Sequence, residues 1–322
     1  QSYAGIQLTN NGGAGKTTSI FIRGTNSRHT LLMIDGLKVG SATSGTPSIQ
    51  DIPLEQIERI EIVRGPRSSL YGSEAIGGVI QIFTKKGTQA KTQISLTAGH
   101  GSFNTSKLTT GIAHGDGKSR YSMQASYIKT DGIDVKDDGE TDKDGYANNS
   151  LSINFGSKIG NSSDFSVNIL NAAGKNKYDG STVNESEFEQ QTVGINLNLA
   201  VSDSWKMIFQ TGYSADNSDN LLNGAFVTRY DTTMVQSSWQ NDVTINTNNI
   251  LSLGVDYRKD DVASTVNYDE KYRDNTGIFI QHQWSGQSND LLIGLRQDDN
   301  QAFGTHTTGN IGWGLALNEN YR

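Results

Sequence analysis

Val193-Gly194-Ile195-Asn196-Leu197-Asn198-Leu199 alternates apolar with small or polar side chains without a break. Side chains of a β-strand point to opposite faces in turn, so a period of two describes a strand with one apolar and one polar face. The same rhythm runs outward in both directions. Ile94, Leu96 and Ala98 alternate with Gln93, Ser95 and Thr97, and Tyr121, Met123, Ala125 and Tyr127 with Ser122, Gln124 and Ser126. Trp205, Met207, Phe209, Thr211 and Tyr213 repeat it, as do Leu251, Leu253, Val255 and Tyr257. From Gln93 onward there are roughly twelve such segments of about ten residues, the length of a tilted strand crossing a bilayer.

A soluble sandwich gives the same alternation, so the connections matter. Long polar stretches, Thr130–Asn149 and Lys175–Glu189, alternate with short turns such as Ile159-Gly160-Asn161-Ser162. That asymmetry matches the two ends of an outer-membrane barrel. Tyr121, Tyr127, Trp205, Tyr213, Trp284 and Trp313 fall near strand ends, where interfacial girdles sit.

Composition narrows the classes. The chain is 34% hydrophobic with 36 Gly and 3 Pro, and its mean hydropathy is -0.52. Such a chain is too polar for one large apolar core, yet its regular aromatic and β-branched residues set it apart from disordered sequence. A net charge of -7 disfavours nucleic acid as a partner. The chain has no cysteine, hence no disulfide or thiolate metal site.

Before about Lys85–Thr92 the pattern differs. Short apolar segments (Ser19–Arg23, Leu31–Asp35, Ile60–Val63 and Val79–Phe83) are punctuated by Gly24, Gly36, Gly65 and Gly72, with a helix expected at Pro53–Ile57. This predicts a small α+β domain.

Two stretches in this domain carry a family likeness. One is Ile22-Arg23-Gly24-Thr25-Asn26 followed by Leu31-Leu32-Met33-Ile34-Asp35-Gly36. The other runs Ile57–Pro66, then Ser69-Leu70-Tyr71-Gly72-Ser73-Glu74-Ala75-Ile76-Gly77-Gly78-Val79-Ile80. They resemble the plug of TonB-dependent outer-membrane receptors, and the later segments resemble the cobalamin transporters of that family. Among those segments are Gly132–Val135, Thr141–Tyr146, Lys177-Tyr178-Asp179, Asp274–Ile278 and Asp298–Gly304.

The resemblance implies an all-β membrane protein of the Gram-negative outer membrane. Its barrel would be a 22-stranded antiparallel transmembrane β-barrel, about 12 strands of it present here, around an N-terminal α+β plug. It places the plug at residues 1–88 and the partial barrel at 89–322, with the TonB box and the last strands outside the chain. It also implies a monomer that imports cobalamin with energy from TonB, among outer-membrane lipid and lipopolysaccharide, without catalysis. Arg23, Arg64, Glu58 and Glu61 are expected to pair inside the barrel.

Residues 131–144 hold seven carboxylates in fourteen positions (Asp131, Asp134, Asp137, Asp138, Glu140, Asp142 and Asp144). Oxygen ligands on a loop suit Ca²⁺, and an ordinary acidic loop gives the same composition. The EF-hand pattern from Glu140 fails at Leu151. The resemblance implies calcium at Asp134, Asp142 and Asp144, joined by Tyr178 and Asp179, with Glu185 or Glu187 as a further carboxylate. It also implies substrate contacts at Gly40, Ser41, Ser44 and Thr46 of one plug loop and at Ser69, Leu70 and Tyr71 of another. Gly12-Gly13-Ala14-Gly15-Lys16-Thr17 is not a P-loop, because Asn10 stands where the first Gly belongs. A ferric-siderophore receptor of the same fold is the nearest alternative, expected to show a basic, aromatic mouth. A passive porin or surface adhesin is the alternative from another class.

Overall fold

The computed structural model describes residues 5–87, 90–136 and 142–316. Strands β1 (Ile6–Asn10) and β2 (Thr18–Ile22) form a hairpin. β3 (Thr30–Ile34), β4 (Leu37–Val39), β5 (Ile57–Arg64) and β6 (Gly78–Thr84) form a sheet in the order β4-β3-β6-β5, with β3 and β6 parallel. β3 is buried along its whole length, as an apolar run in a central strand should be. Its turn into β4 is Asp35-Gly36, both at positive φ (47° and 92°), the hairpin geometry that Asp-Gly favours.

The helix expected at Pro53–Ile57 is a single 3-10 turn, Leu54–Gln56, and Ile57 already belongs to β5. The one α-helical turn among the described residues is α1 (Ser68–Tyr71). The plug is therefore mostly β: each of these segments is too short to reward helix nucleation.

Twelve strands make one antiparallel sheet in strict sequence order. They are β7 (Gln93–Gly101), β8 (Thr105–Gly115), β9 (Ser119–Thr130), β10 (Tyr146–Ile159), β11 (Ser163–Lys177) and β12 (Glu185–Ser202), followed by β13 (Trp205–Leu222), β14 (Ala225–Asn246), β15 (Asn249–Ser264), β16 (Tyr272–Ser285), β17 (Asn289–Asn300) and β18 (Gly304–Leu315). The strand count agrees with the alternation. The lengths do not, since they reach 22 residues in β14. The connection expected at Lys175–Glu189 shrinks to residues 178–184, because ladder pairing carries β11 and β12 beyond the apolar band. For the same reason Tyr213 lies in mid-strand, while Tyr121, Trp205, Trp284 and Trp313 sit at the short-turn end. The boundary expected at 88/89 lies outside the described residues.

The sheet is inside-out relative to a soluble protein. Ile195, Phe209, Trp239, Ile278 and Leu295 are exposed on one face. Ser122, Ser152, Asn154, Asn168, Thr232 and Arg296 are buried on the other. Lipid accepts the apolar face, and the plug supplies hydrogen-bond partners for the polar one. Apolar packing is concentrated in the plug, where Ile22, Leu32, Ile34, Ile52, Ile80 and Ile82 cluster with Leu170 of the wall.

Leu37, 2% exposed, seats where Gly194 and Gly212 leave the wall bare. A Cβ on Gly212 would stand 2.5 Å from both Leu37 Cδ1 and the Val193 carbonyl oxygen. Gly212→Val is expected to loosen the plug by about 1–3 kcal/mol, the usual cost of overpacking, read as a lower denaturation midpoint for the plug. An unchanged midpoint would show that the wall bends freely here.

Candidate functional site

Strand register defines two ends of the sheet. The connections at 131–145, 178–184 and 265–271 share one end, and turns of two or three residues make up the other. Many polar contacts fix the plug between them, and three involve buried charged groups.

The first is the tip of the β1–β2 hairpin. Lys16, 4% exposed, donates to Asn176 Oδ1 (2.8 Å) and to the Asp144 carbonyl (3.0 Å). Burial lowers its pKa, opposed by Asp144, Asp179 and Asp51. Gly15, at φ 74°, lies against the Tyr146 ring, which leaves no room for a Cβ. In sequence this loop is only a false P-loop. The structure sets its lysine against the acidic connection, on the Asp144 carbonyl and near the Asp144 and Asp179 carboxylates.

The second contact is Asp51, 4% exposed. It accepts from Gln50 Nε2 (3.1 Å) and the Tyr146 hydroxyl (3.3 Å), and its carbonyl accepts from Asn148 (2.8 Å). Burial, and then the neighbouring Asp216 carboxylate of β13, push Asp51 up to about 7. Ser48 donates to Asp216 at 3.2 Å, so carboxylates of the plug and the wall face one another across this contact.

The third is a charged network on β15–β17. Arg296, fully buried, makes paired bonds to Asp256 (2.6 and 2.9 Å) and to Asp298 (2.7 and 2.8 Å), and reaches the Leu70 carbonyl at 3.5 Å. Arg258 bonds Glu74 of the plug at 2.7 Å and approaches Asp260 at 3.2 Å. Burial alone would raise the Glu74 carboxyl, but Arg258 holds it at about 2. Lys38 donates to the Tyr71 carbonyl at 2.7 Å, and burial depresses its pKa. Gln236 of β14 grips the Lys38 backbone at both N–H (3.0 Å) and C=O (2.8 Å), as a neighbouring strand would.

The four charges expected to pair inside the barrel do not form this network. Glu61 pairs with Arg59 at 2.7 Å on the exposed strand β5. Among charged plug side chains, bonds to the wall are made instead by Lys16 to Asn176, Asp51 to Tyr146, Glu55 to Lys107 and Glu74 to Arg258. The sequence did hold a signal: Asp256, Arg258 and Asp260 alternate along the polar face of β15, where charge without a partner is costly.

The expected substrate residues divide between two sides. Gly40, Ser41 and Thr46 line a cleft of 200 Å³ on the long-connection side, with Arg28, Thr30, Glu74, Arg258, Asp260 and Arg273. Ser44 stays in the exposed loop, bonded to the Thr46 carbonyl at 2.9 Å. Ser69 is buried and bonds Asn310 of β18. Leu70 and Tyr71 border a larger cavity of 470 Å³ beneath the plug sheet, with Asp35, Lys86, Gln210 and Gln240. The two plug segments are thus not brought into one cleft.

The expected calcium ligands are not gathered either. Among the described residues no three acidic or histidine side chains cluster for a metal. Asp134 accepts from the Lys136 backbone at 3.2 Å, Asp142 is exposed, and Tyr178 reaches Asn220 at 3.5 Å. Asp144 turns inward, where Oδ2 accepts from the Val135 backbone at 3.0 Å and Oδ1 has no partner among the described residues. Asp179 lies near Lys16. As placed, these five do not fit a calcium ion. Asp137, Asp138 and Glu140 lie outside the described residues.

This arrangement, a folded plug bonded into an inside-out sheet, has its counterpart in known families. The family model for the TonB-dependent receptor plug domain matches residues 1–79, and that for the TonB-dependent receptor-like β-barrel matches residues 90–322. The chain belongs to the TonB-dependent receptors. The receptor is therefore an outer-membrane protein of a family of transporters, not enzymes. It is 32% identical to the vitamin B12 transporter BtuB of Photobacterium profundum over 97% of this chain and 51% of that protein. Identity to BtuB of Vibrio vulnificus is 31%, over 97% of this chain and 52% of that one. The receptor spans about half the length of these curated relatives. Its fold is also that of the siderophore receptor PirA of Acinetobacter baumannii (TM-score 0.79, 19% identity, 98% of this chain and 55% of that one).

Proposed function

We propose that this receptor binds cobalamin or a related corrinoid at the long-connection end of its barrel and imports it with energy delivered through TonB. The observation that carries this reading is the 32% identity to a vitamin B12 transporter across 97% of the chain. The cleft agrees in character. Gly40, Ser41 and Thr46 present backbone and hydroxyls to a large rigid ligand, and no nucleophile or general base is needed. A porin would leave its lumen open, whereas here plug side chains bond the wall throughout.

One observation favours a ferric siderophore: Arg28, Arg258 and Arg273 line the same cleft. Two of these are already committed, Arg258 to Glu74 and Arg273 to Asp260 (2.8 Å), which leaves the cleft little net attraction for an anion. Cyanocobalamin binding to the full-length receptor in detergent separates the readings. Saturable binding, with uptake in cells that requires TonB, is expected. Binding without TonB-dependent uptake would instead describe an adhesin, and no binding would move the ligand to a siderophore.

Calcium enters this proposal only as a loop-ordering ligand, since Asp134 and Asp142 must move to the free oxygen of Asp144 to hold it. Cobalamin affinity that falls on chelation supports that role, and indifference to chelator removes it.

A further inference from the structure

Two spaces between plug and wall stack end to end along β14 and β15, and three successive cross-strand pairs mark the step. Met234 and Asp260 are register partners, and both line the 200 Å³ cleft. Two residues further along, Gln236 pairs with Arg258, which lines both the cleft and the 470 Å³ cavity beneath the plug sheet. The next pair, Ser238 and Asp256, lines that lower cavity. Alternate residues of a strand share a face, so the three pairs form one stripe facing the lumen, with about 7 Å per step. The cleft extends to Arg273, the second residue of β16, at the long-connection end. The cavity extends to Asp164, the second residue of β11, at the short-turn end. Together they follow the wall from one end to the other.

A single level of plug-to-wall bonds parts the two spaces. Glu74, in the 3-10 turn Ser73–Ala75, meets Arg258 at 2.7 Å, and Gln236 holds the Lys38 backbone at 3.0 and 2.8 Å. The ion pair is the weaker half of this partition, because it joins two side chains across the gap. Arg258 also has Asp260 at 3.2 Å on its own strand, so the guanidinium keeps a carboxylate when Glu74 withdraws. Parting the pair therefore strands no charge on the wall, and stranded charge is what makes breaking a buried ion pair costly.

We propose that the β14–β15 side of the lumen is a closed route for small ions and polar solutes, and that the Glu74–Arg258 pair is its gate. At 200 Å³ the cleft is smaller than the usual site for a drug-sized molecule, so the route passes only small hydrated solutes while the plug is seated. It also marks the side on which plug and wall separate most readily. The inference rests on the transport reading and not on the identity of the ligand, so conductance and cyanocobalamin binding fail independently.

The test is the conductance of the full-length receptor in planar lipid bilayers, in potassium chloride and without TonB. Wild type is expected to be nearly silent. Glu74→Ala should raise the conductance per receptor about tenfold, the change for a barrier lowered by about 1.4 kcal/mol. Chloride should carry most of the current, because the cleft then presents Arg28, Arg258 and Arg273 against Asp260 alone. Arg258→Lys keeps the charge but loses the fork that reaches Glu74 and Asp260 together, so it should conduct as well; it serves if Glu74→Ala fails to fold. Lys16→Met breaks a buried contact with Asn176 of β11, away from both spaces, and should stay silent. Equal, unselective conductance in Glu74→Ala and Lys16→Met would reduce the effect to a loosened plug and overturn the gate. Silence of both gate variants, or a wild type as conductive as Glu74→Ala, would overturn it too.

Discussion

Replacing Arg296 with methionine is expected to destabilise the seated plug by about 3–5 kcal/mol, the scale on which removing one partner of a buried ion network is felt. The guanidinium is fully buried and holds both Asp256 and Asp298 through paired bonds. The two carboxylates are 16% and 14% exposed, so little solvent reaches them when it is gone. The loss also frees the Leu70 carbonyl, and with it one attachment of α1 to the wall. Gly277 of β16 exists to make the room, because a Cβ there would overlap the guanidinium. Chemical denaturation in detergent, followed by protease access to the plug, measures the effect. Adding Asp256→Asn and Asp298→Asn to Arg296→Met should recover much of it, since the cost lies in stranded charge. A shift under about 1 kcal/mol would show that water already serves these carboxylates.

The second large effect is a pH dependence centred on Asp51. Its carboxyl is raised from the usual range to about 7 in the folded protein. The folded state therefore holds a proton that the unfolded chain gives up near pH 4, so plug stability falls as pH rises through this interval and levels off above about 7. A displacement of about three pKa units corresponds to an order of 4 kcal/mol. Asp51→Asn should flatten the dependence and stabilise the seated plug at pH 8, because the amide still accepts from Tyr146 without ionising. Hydrogen exchange of β3 and β6 at pH 5 and pH 8, corrected for intrinsic rates, reads this directly. A wild-type plug that tightens toward pH 8 would contradict the sign, and an Asp51→Asn variant with the wild-type slope would move its origin to Asp216.

The sequence by itself determined the architecture of this receptor. Period-two alternation is a local property: every residue of Val193–Leu199 announces its face without reference to any other strand, and twelve such segments in a row leave a meander as the simplest pairing. The plug was equally legible through glycines that mark its turns, such as Gly36, and through the motif around Leu70-Tyr71-Gly72. Where the chain forms polar contacts between distant segments, local pattern fell silent. Lys16 meets Asp144 across 128 positions, and Arg258 meets Glu74 across 184. Nothing in the neighbourhood of either lysine or arginine names its partner.

The expected site suffered for the same reason. Ser69 looks in sequence like a hydroxyl offered to a ligand, and the fold turns it into the wall against Asn310. Asp134, Asp142 and Asp144 look like one acidic cluster, yet strand β10 draws Asp144 inward to Lys16 while Asp142 remains in solvent. A strand's alternation says which residues face the lumen, but only closure of the plug against the wall decides what each one meets there. That choice belongs to tertiary structure because inside a polar lumen many pairings satisfy the same local rule, and burial selects the set that strands the fewest charges.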